Sequence, residues 1–295
     1  MTNLIIGTRG FIGQNLMRSL VELKVDFEIF DLEQTQQKNE LDFAPLIAFL
    51  NNGHRYDNII DCVGVKKLTY FNDVIDTGLI SSILSQYEQL MDNLQKKSHG
   101  RFIYLSSGGS VYGNTNNQSA NEDSPLNPIS LYGITNTKIE KLLEPFNPLI
   151  LRASNIFGFK NNNNLRQGFI EASIYRVLTN QSIKIYGDGK TTRDYMYVDE
   201  FIDILTKLVQ IDLTGIFNIG SGIGKDQNDI IRLLELNFRN IKFQIDYTRF
   251  PSYLPTLDYN VLDITKIRNV IDDYPVIDLK LGINKTVEIF RKNLT

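Results

Sequence analysis

The residues best placed to do chemistry stand close to the start of the chain. Gly7, Gly10 and Gly13 are spaced three and three within Gly7-Thr8-Arg9-Gly10-Phe11-Ile12-Gly13, directly after a short apolar run and at the opening of a helical pattern. The first glycine permits a tight turn, the second lets backbone approach a pyrophosphate, and the third lets a helix pack closely. Phe11 and Ile12 lie in the first turn of that helix, whose free N–H groups and partial positive charge favour an anion. Asp31 ends the next apolar run, where a carboxylate meets the 2′-hydroxyl of an adenosine ribose. The pattern therefore predicts a dinucleotide site. Asp31 favours NAD, because its charge repels the 2′-phosphate of NADP. Arg9 leaves NADP open, since a guanidinium pairs with a phosphate as readily as with Asp31 or the pyrophosphate. Asp42 and Phe43, read as the end of a further strand, are candidates for the edge and face of the adenine; a helix cap and a core aromatic are the commoner uses of those residue types.

Periodicity supplies the elements that must hold these groups. Apolar runs at Asn3 to Ile6, Phe27 to Phe30, Asn58 to Val63, Arg101 to Leu105 and Pro148 to Leu151 alternate with helical stretches such as Leu79 to Leu94. This alternation predicts an α/β fold, a Rossmann-type doubly wound parallel sheet covered by helices on both faces. Beyond Ser154 the rhythm changes. A run from Asn161 to Asn164 reads as surface loop, followed by a helix, a short strand at Ile183 to Ile185 and a Gly187-Asp188-Gly189 turn. Residues 1–152 are expected to form the dinucleotide domain and residues 153–295 mainly a smaller C-terminal substrate lobe. The two are expected to interleave, because the strand at Ile216 to Ile219 suits a return to the first sheet.

Composition narrows the partners. A chain of 295 residues, 42% of them hydrophobic, supplies a sizeable core. The net charge of -3 without a basic stripe argues against nucleic acid. One cysteine, Cys62, and two scattered histidines, His54 and His99, give no metal site and no internal disulfide. No apolar run approaches a membrane span and the N-terminus carries no leader pattern, so a cytoplasmic location without membrane contact is expected.

Further blocks carry a resemblance. They are Leu105-Ser106-Ser107-Gly108-Gly109-Ser110-Val111-Tyr112-Gly113, Ser130-Leu131-Tyr132-Gly133-Ile134-Thr135, Leu151 to Gly158, Gly187-Asp188-Gly189 with Arg193 to Asp199, and Phe217 to Gly222. With them, nearly the whole chain resembles the NAD-dependent sugar epimerase/dehydratase family of extended short-chain dehydrogenases/reductases, typified by UDP-galactose 4-epimerase. The resemblance implies a nucleotide-diphosphate sugar as substrate. Tyr132 matches the catalytic tyrosine, which exchanges a proton with a sugar hydroxyl while hydride passes to or from the nicotinamide beside it. Asn155 and Arg193 match positions that hold the nucleotide diphosphate, for which a planar guanidinium is suited. A homodimer through the Leu79 to Leu94 helix and the helix beginning near Tyr132 is implied as well.

Two departures bear on the reaction. Gly108 stands where the family has a catalytic Ser or Thr, with Ser107 and Ser110 on either side. Either of them takes over the missing hydrogen bond, or both serve as local caps. Asn136 stands where the family has a lysine, about 40° from Tyr132 on one helix face, whereas Lys138 falls about 120° away. A tyrosine of ordinary pKa is ionised to only about one part in a thousand at pH 7, and the ammonium that would lower that pKa is replaced. Asn136 keeps the ability to donate to ribose hydroxyls. Gly109 and Ser110 occupy the places of the acid-base pair of 4,6-dehydratases, which counts against that branch. Three readings follow: a 4-epimerase working through a transient 4-keto sugar; a 4-keto-sugar reductase, for which a neutral tyrosine is already the right acid; and a catalytically impaired protein that binds dinucleotide or nucleotide sugar.

Overall fold

A computed structural model describes residues 2–32, 41–51, 53–65, 77–159, 168–239, 243–249 and 257–294. The Asn161 to Asn164 run lies outside them. The chain opens with β1 (Asn3–Ile6), α1 (Phe11–Glu22), β2 (Phe27–Phe30), α2 (Ala44–Leu50), β3 (Asn58–Asp61), α3 (Thr77–Lys96), β4 (Arg101–Ser107), the short α4 (Gly108–Val111), α5 (Leu131–Leu143) and β5 (Leu149–Ala153). Every residue of β1 and β3 is buried, as both faces of a helix-covered parallel sheet require. Helix α1 turns Gly13, Leu16 and Leu20 inward at helical spacing. Asp42 and Phe43 lie at the entry to α2, not at a strand end, with Pro45 in its first turn.

The second half runs β6 (Asn155–Phe157), α6 (Phe169–Leu178), β7 (Ile183–Tyr186), β8 (Thr192–Tyr197), α7 (Val198–Val209), β9 (Gly215–Ile219), β10 (Gly224–Asp226), α8 (Gln227–Asn237), β11 (Ile245–Thr248), β12 (Tyr259–Asn260), α9 (Thr265–Arg268) and α10 (Leu279–Leu294). Six strands form one sheet in the order β2-β1-β3-β4-β5-β9, every pair parallel. The chain goes from β1 out to β2 and then crosses to β3 on the other side, so the strand order reverses beside the end of β1. Ligands of open α/β sheets bind at such a switch point, and the glycine turn follows β1 there. A second sheet joins β10, β8 and β12, with β6 paired to β8. The chain thus leaves the main sheet after β5 and returns to it as β9.

Helix α5 is locked to the sheet by a buried ion pair. Arg152 of β5 meets Glu140 of α5 at 2.7 Å, with both side chains 3% exposed. Arg152 also donates to the Tyr112 hydroxyl at 2.9 Å and to the Glu122 carbonyl at 3.1 Å, and Ser106 donates to Glu140. Each charge is therefore hydrogen-bonded, the condition under which a buried pair is tolerated. Among the described residues no helix is long and apolar enough to cross a membrane.

Candidate active site

The three glycines have separate steric reasons. Gly7 holds a φ of +84°, and a Cβ there would fall 2.8 Å from the Val63 nitrogen, so the turn demands glycine twice over. A Cβ on Gly13 would fall 2.4 Å from the Gly7 carbonyl oxygen, which fixes the close seat of α1 on the turn. Gly10 is less crowded: its Cβ would meet only the Gly7 and Cys62 carbonyl oxygens, at 3.3 and 3.5 Å. Bare backbone there leaves room for a pyrophosphate above it. Under the turn, Asp61 is fully buried at the end of β3, accepting from the Tyr87 hydroxyl at 2.6 Å and the Val63 N–H at 2.9 Å. Burial raises its pKa against the lowering effect of those donors. The Cys62 thiol beside it is pushed up by burial and by the Asp61 charge.

Asp31 is positioned as an acceptor. Its Oδ2 takes a hydrogen bond from the Thr8 hydroxyl at 2.8 Å and lies 3.5 Å from the largely exposed Arg9 guanidinium. Its Oδ1 is buried without a partner among the described residues. An orphaned carboxylate oxygen beside a glycine turn fits the ribose hydroxyl of NAD, which would satisfy it. Arg9 reaches toward Asp31, so part of its charge is already engaged there. Asp42 is exposed and caps the Ala44 N–H at 2.9 Å. Phe43 corrects the sequence reading: it is wholly buried, packs edge-on against Tyr87 at 5.1 Å between ring centroids, and gives its N–H to Gln86. No face of its ring is left for an adenine.

Tyr132 sits half-buried in the first turn of α5, which Ser130 caps by accepting from the Gly133 N–H at 3.1 Å. Asn136 lies one turn further on and points into the fold, 1% exposed. Its Oδ1 accepts from the Tyr104 hydroxyl at 2.8 Å and its Nδ2 donates to the Tyr132 carbonyl at 2.8 Å. Both polar atoms of the amide are engaged inside the fold, so Asn136 braces the helix from below. Tyr104 in turn is kept firmly protonated, first by burial and then by the charge of Asp61.

The β4–α4 corner lies against α5: a Cβ on Gly133 would fall 2.5 Å from the Ser110 carbonyl oxygen. Ser110 is buried and donates to the Ser107 carbonyl at 3.2 Å, the local capping use. Ser107 is half-buried at the N-cap of α4 and its side chain makes no capping hydrogen bond. Gly108 is hemmed in by Leu262, whose methyl carbons lie 2.8 and 2.9 Å from where its Cβ would be. Asn260, fully buried next to that leucine on the C-terminal segment, donates to the carbonyls of Gly108 and Gly113 at 3.3 and 3.2 Å.

Asn155 links this corner to the second lobe. Its amide nitrogen lies 3.5 Å from the Cβ position of Gly109 and donates to the Asp194 carbonyl at 3.0 Å. It opens a cavity of about 170 Å³ lined also by Arg193, Tyr195, Thr191, Glu171 and Gln227. The two residues expected to hold a diphosphate are thus brought together. Arg193 donates to the Thr192 carbonyl at 2.8 Å, while Asp194 turns the opposite way and accepts from Ser221, Gly222 and Leu262. The alternation along β8 therefore separates a cavity-facing guanidinium from a buried anchor. Leu262 and Tyr104 carried no signal in the sequence, since each matters through a contact made by the fold, and Gln227 enters only by lining the cavity.

A glycine turn at a switch point, a strand-end carboxylate with an orphaned oxygen, and a second lobe interleaved with the parallel sheet define an α/β protein of the dinucleotide-binding type. The chain belongs to the NAD dependent epimerase/dehydratase family, whose signature matches residues 3–220. A Methanocaldococcus jannaschii protein provisionally named as a UDP-glucose 4-epimerase is 28% identical over 320 aligned residues, covering 98% of each chain. The Thermotoga maritima UDP-glucose 4-epimerase, solved with UDP-glucose, superposes with a TM-score of 0.85 at 24% identity over 100% of both chains. The Thermus thermophilus UDP-glucose 4-epimerase, solved with NAD, superposes with a TM-score of 0.83 at 20% identity over 99% of both. These two structures speak for the fold.

Proposed function

We propose that the protein is an NAD-dependent 4-epimerase of a nucleotide-diphosphate sugar. The observation that carries this reading is the junction at Asn155. Asn155 lines the cavity with Arg193 and also touches Gly109 in the corner that packs on the Tyr132 helix, which supports reading a diphosphate held there as turning its sugar toward Tyr132. The glycine turn, Phe11, Ile12 and Asp31 hold the dinucleotide. When bound, NAD supplies a reversible acceptor for one hydride from C4. Tyr132 takes the C4 hydroxyl proton as the C4–H bond breaks, leaving a 4-keto sugar. Ser107, rather than the locally engaged Ser110, donates to the carbonyl oxygen. Rotation of the keto sugar and return of hydride and proton to its other face complete the inversion. The protein works in the cytoplasm, as a homodimer through α3 and α5, which lie side by side in each chain.

Purified protein incubated with UDP-glucose, UDP-galactose and their N-acetylamino counterparts is expected to interconvert a C4 pair, with NAD remaining bound. A second reading, a 4-keto-sugar reductase, is favoured by one observation: the position of the missing ammonium holds a buried amide, and a neutral Tyr132 is the acid that reduction needs. Stoichiometric oxidation of NADH or NADPH by a 4-keto-6-deoxy sugar nucleotide, without epimerisation of any hexose, would select it. Tight binding without turnover in either assay would select the impaired member.

A further inference from the structure

Strand β8 lays out the cavity in sequence. Thr191, just before the strand, and Arg193 and Tyr195 within it alternate onto one side, and all three line the cavity. Tyr195 is in register with Asn155, the end that touches the Gly109 corner. At the other end Thr192 is in register with Asp226, the residue before Gln227. Arg193 stands between, roughly 7 Å from the residue two places away on either side. That step is comparable with the span from a diphosphate to the ribose that carries it. Given the reading of Arg193 as the diphosphate ligand, the hexose lies toward Gly109 and the nucleoside toward Gln227.

Gln227 brings a specific demand to that end. Its Oε1 is buried and has no hydrogen-bond partner among the described residues. An amide oxygen only accepts, and phosphate oxygens do not supply the proton it needs. The donors next to a diphosphate on its nucleoside side are the ribose hydroxyls. We infer that Gln227 accepts a hydrogen bond from a ribose hydroxyl and makes the site selective for ribonucleoside over deoxyribonucleoside diphosphate sugars. Loss of that hydroxyl leaves a buried acceptor unpaired, the kind of mismatch that polar sites reject most strongly.

The test is calorimetric titration of the full chain with UDP, 2′-deoxy-UDP and 3′-deoxy-UDP, in the wild type, Gln227→Met and Gln227→Leu. The wild type is expected to bind UDP at least about tenfold more tightly than 2′-deoxy-UDP; discrimination against 3′-deoxy-UDP alone overturns the ribonucleoside selectivity. Either variant is expected to bring that ratio close to one. The ratio is taken within one protein, so a partly unfolded variant alters both affinities alike. Equal wild-type affinity for all three ligands, or a ratio unchanged by the substitutions, overturns the role of Gln227; UDP carries no hexose, so a hexose donor would appear as this result. UDP affinity unaffected by Arg193→Ala overturns the diphosphate reading itself, and with it this inference.

Discussion

Leu262 fills the space that a side chain at position 108 would occupy: a Cβ on Gly108 falls 2.8 Å from its Cδ1 and 2.9 Å from its Cδ2. The missing hydroxyl at this position is therefore matched by a wedge from the C-terminal segment, and Leu262 itself is only 1% exposed. Gly108→Ser is expected to cost about 1–3 kcal/mol by overpacking, without a gain in turnover. Combined with Leu262→Ala it should cost less than the sum of the single changes, with a coupling of about 0.5–3 kcal/mol. Chemical denaturation of the four proteins measures this, and strict additivity would show that the two residues do not compete for the same space.

Asn136→Lys is expected to bring a positive charge near Tyr132 and, if Tyr132 is the base as proposed, to lower the pKa read in the rate profile by about 1–2 units. The pH dependence of kcat/KM for sugar oxidation reads this directly. The same change removes the acceptor of the Tyr104 hydroxyl inside the fold, so a stability loss of about 1–3 kcal/mol should accompany it. An unmoved pH profile in a folded variant would show that the ammonium is not what this site lacks.

Asp31→Asn is expected to weaken NAD binding about tenfold to a hundredfold, since a charged acceptor for the ribose is replaced by a neutral one. Its NADP affinity should rise as the repulsion of a 2′-phosphate is relieved. Titration with both dinucleotides tests the pair of effects. Equal losses for the two would show that Asp31 supports the turn through Thr8 and does not read the ribose.

The geometry of the glycine turn was legible in the sequence, because it rests on local rules: glycines dictated by a turn, and a carboxylate just after a strand. The return of β9 to the main sheet was legible too, from one apolar run in a polar stretch. The contacts that shape the β4–α4 corner were not. Helical spacing put Asn136 on the face of Tyr132, but only packing shows Tyr104 beneath that face, taking up the amide. Phe43 looked available because a sequence does not say which side of a helix entry meets the core. The Gly108 gap looked like a simple loss until the distant Leu262 was seen within it, and Gln227 became meaningful only when β8 placed it across the cavity from Asn155.

Stability should fall as pH rises through the weakly acidic range. Glu200 caps α7, accepting from the Tyr197 N–H at 3.1 Å and from the Ile277 N–H. Burial, opposed by the Tyr197 N–H and by Lys285 and reinforced by the Asp199 charge, pushes its pKa up to about 7. A carboxyl that binds its proton more tightly when folded stabilises the fold below its unfolded pKa, near 4.5, and loses that contribution as pH climbs toward 7. The loss should be roughly 1–3 kcal/mol. Asp61 and Asp194, also raised by burial, act with the same sign. Glu200→Gln should flatten most of the slope in melting temperature between pH 4.5 and 7; an unchanged slope would place the effect elsewhere.

The central claim is that Tyr132 moves a proton at C4 of a nucleotide sugar while NAD stays bound. It is tested most directly by following UDP-glucose and UDP-galactose by NMR with the purified protein and with Tyr132→Phe. The expected result is interconversion by the wild type and a loss of about a hundredfold or more in the variant, with NAD retained in both. Interconversion that survives Tyr132→Phe, or no interconversion of any C4 pair beside stoichiometric consumption of reduced dinucleotide, would contradict it.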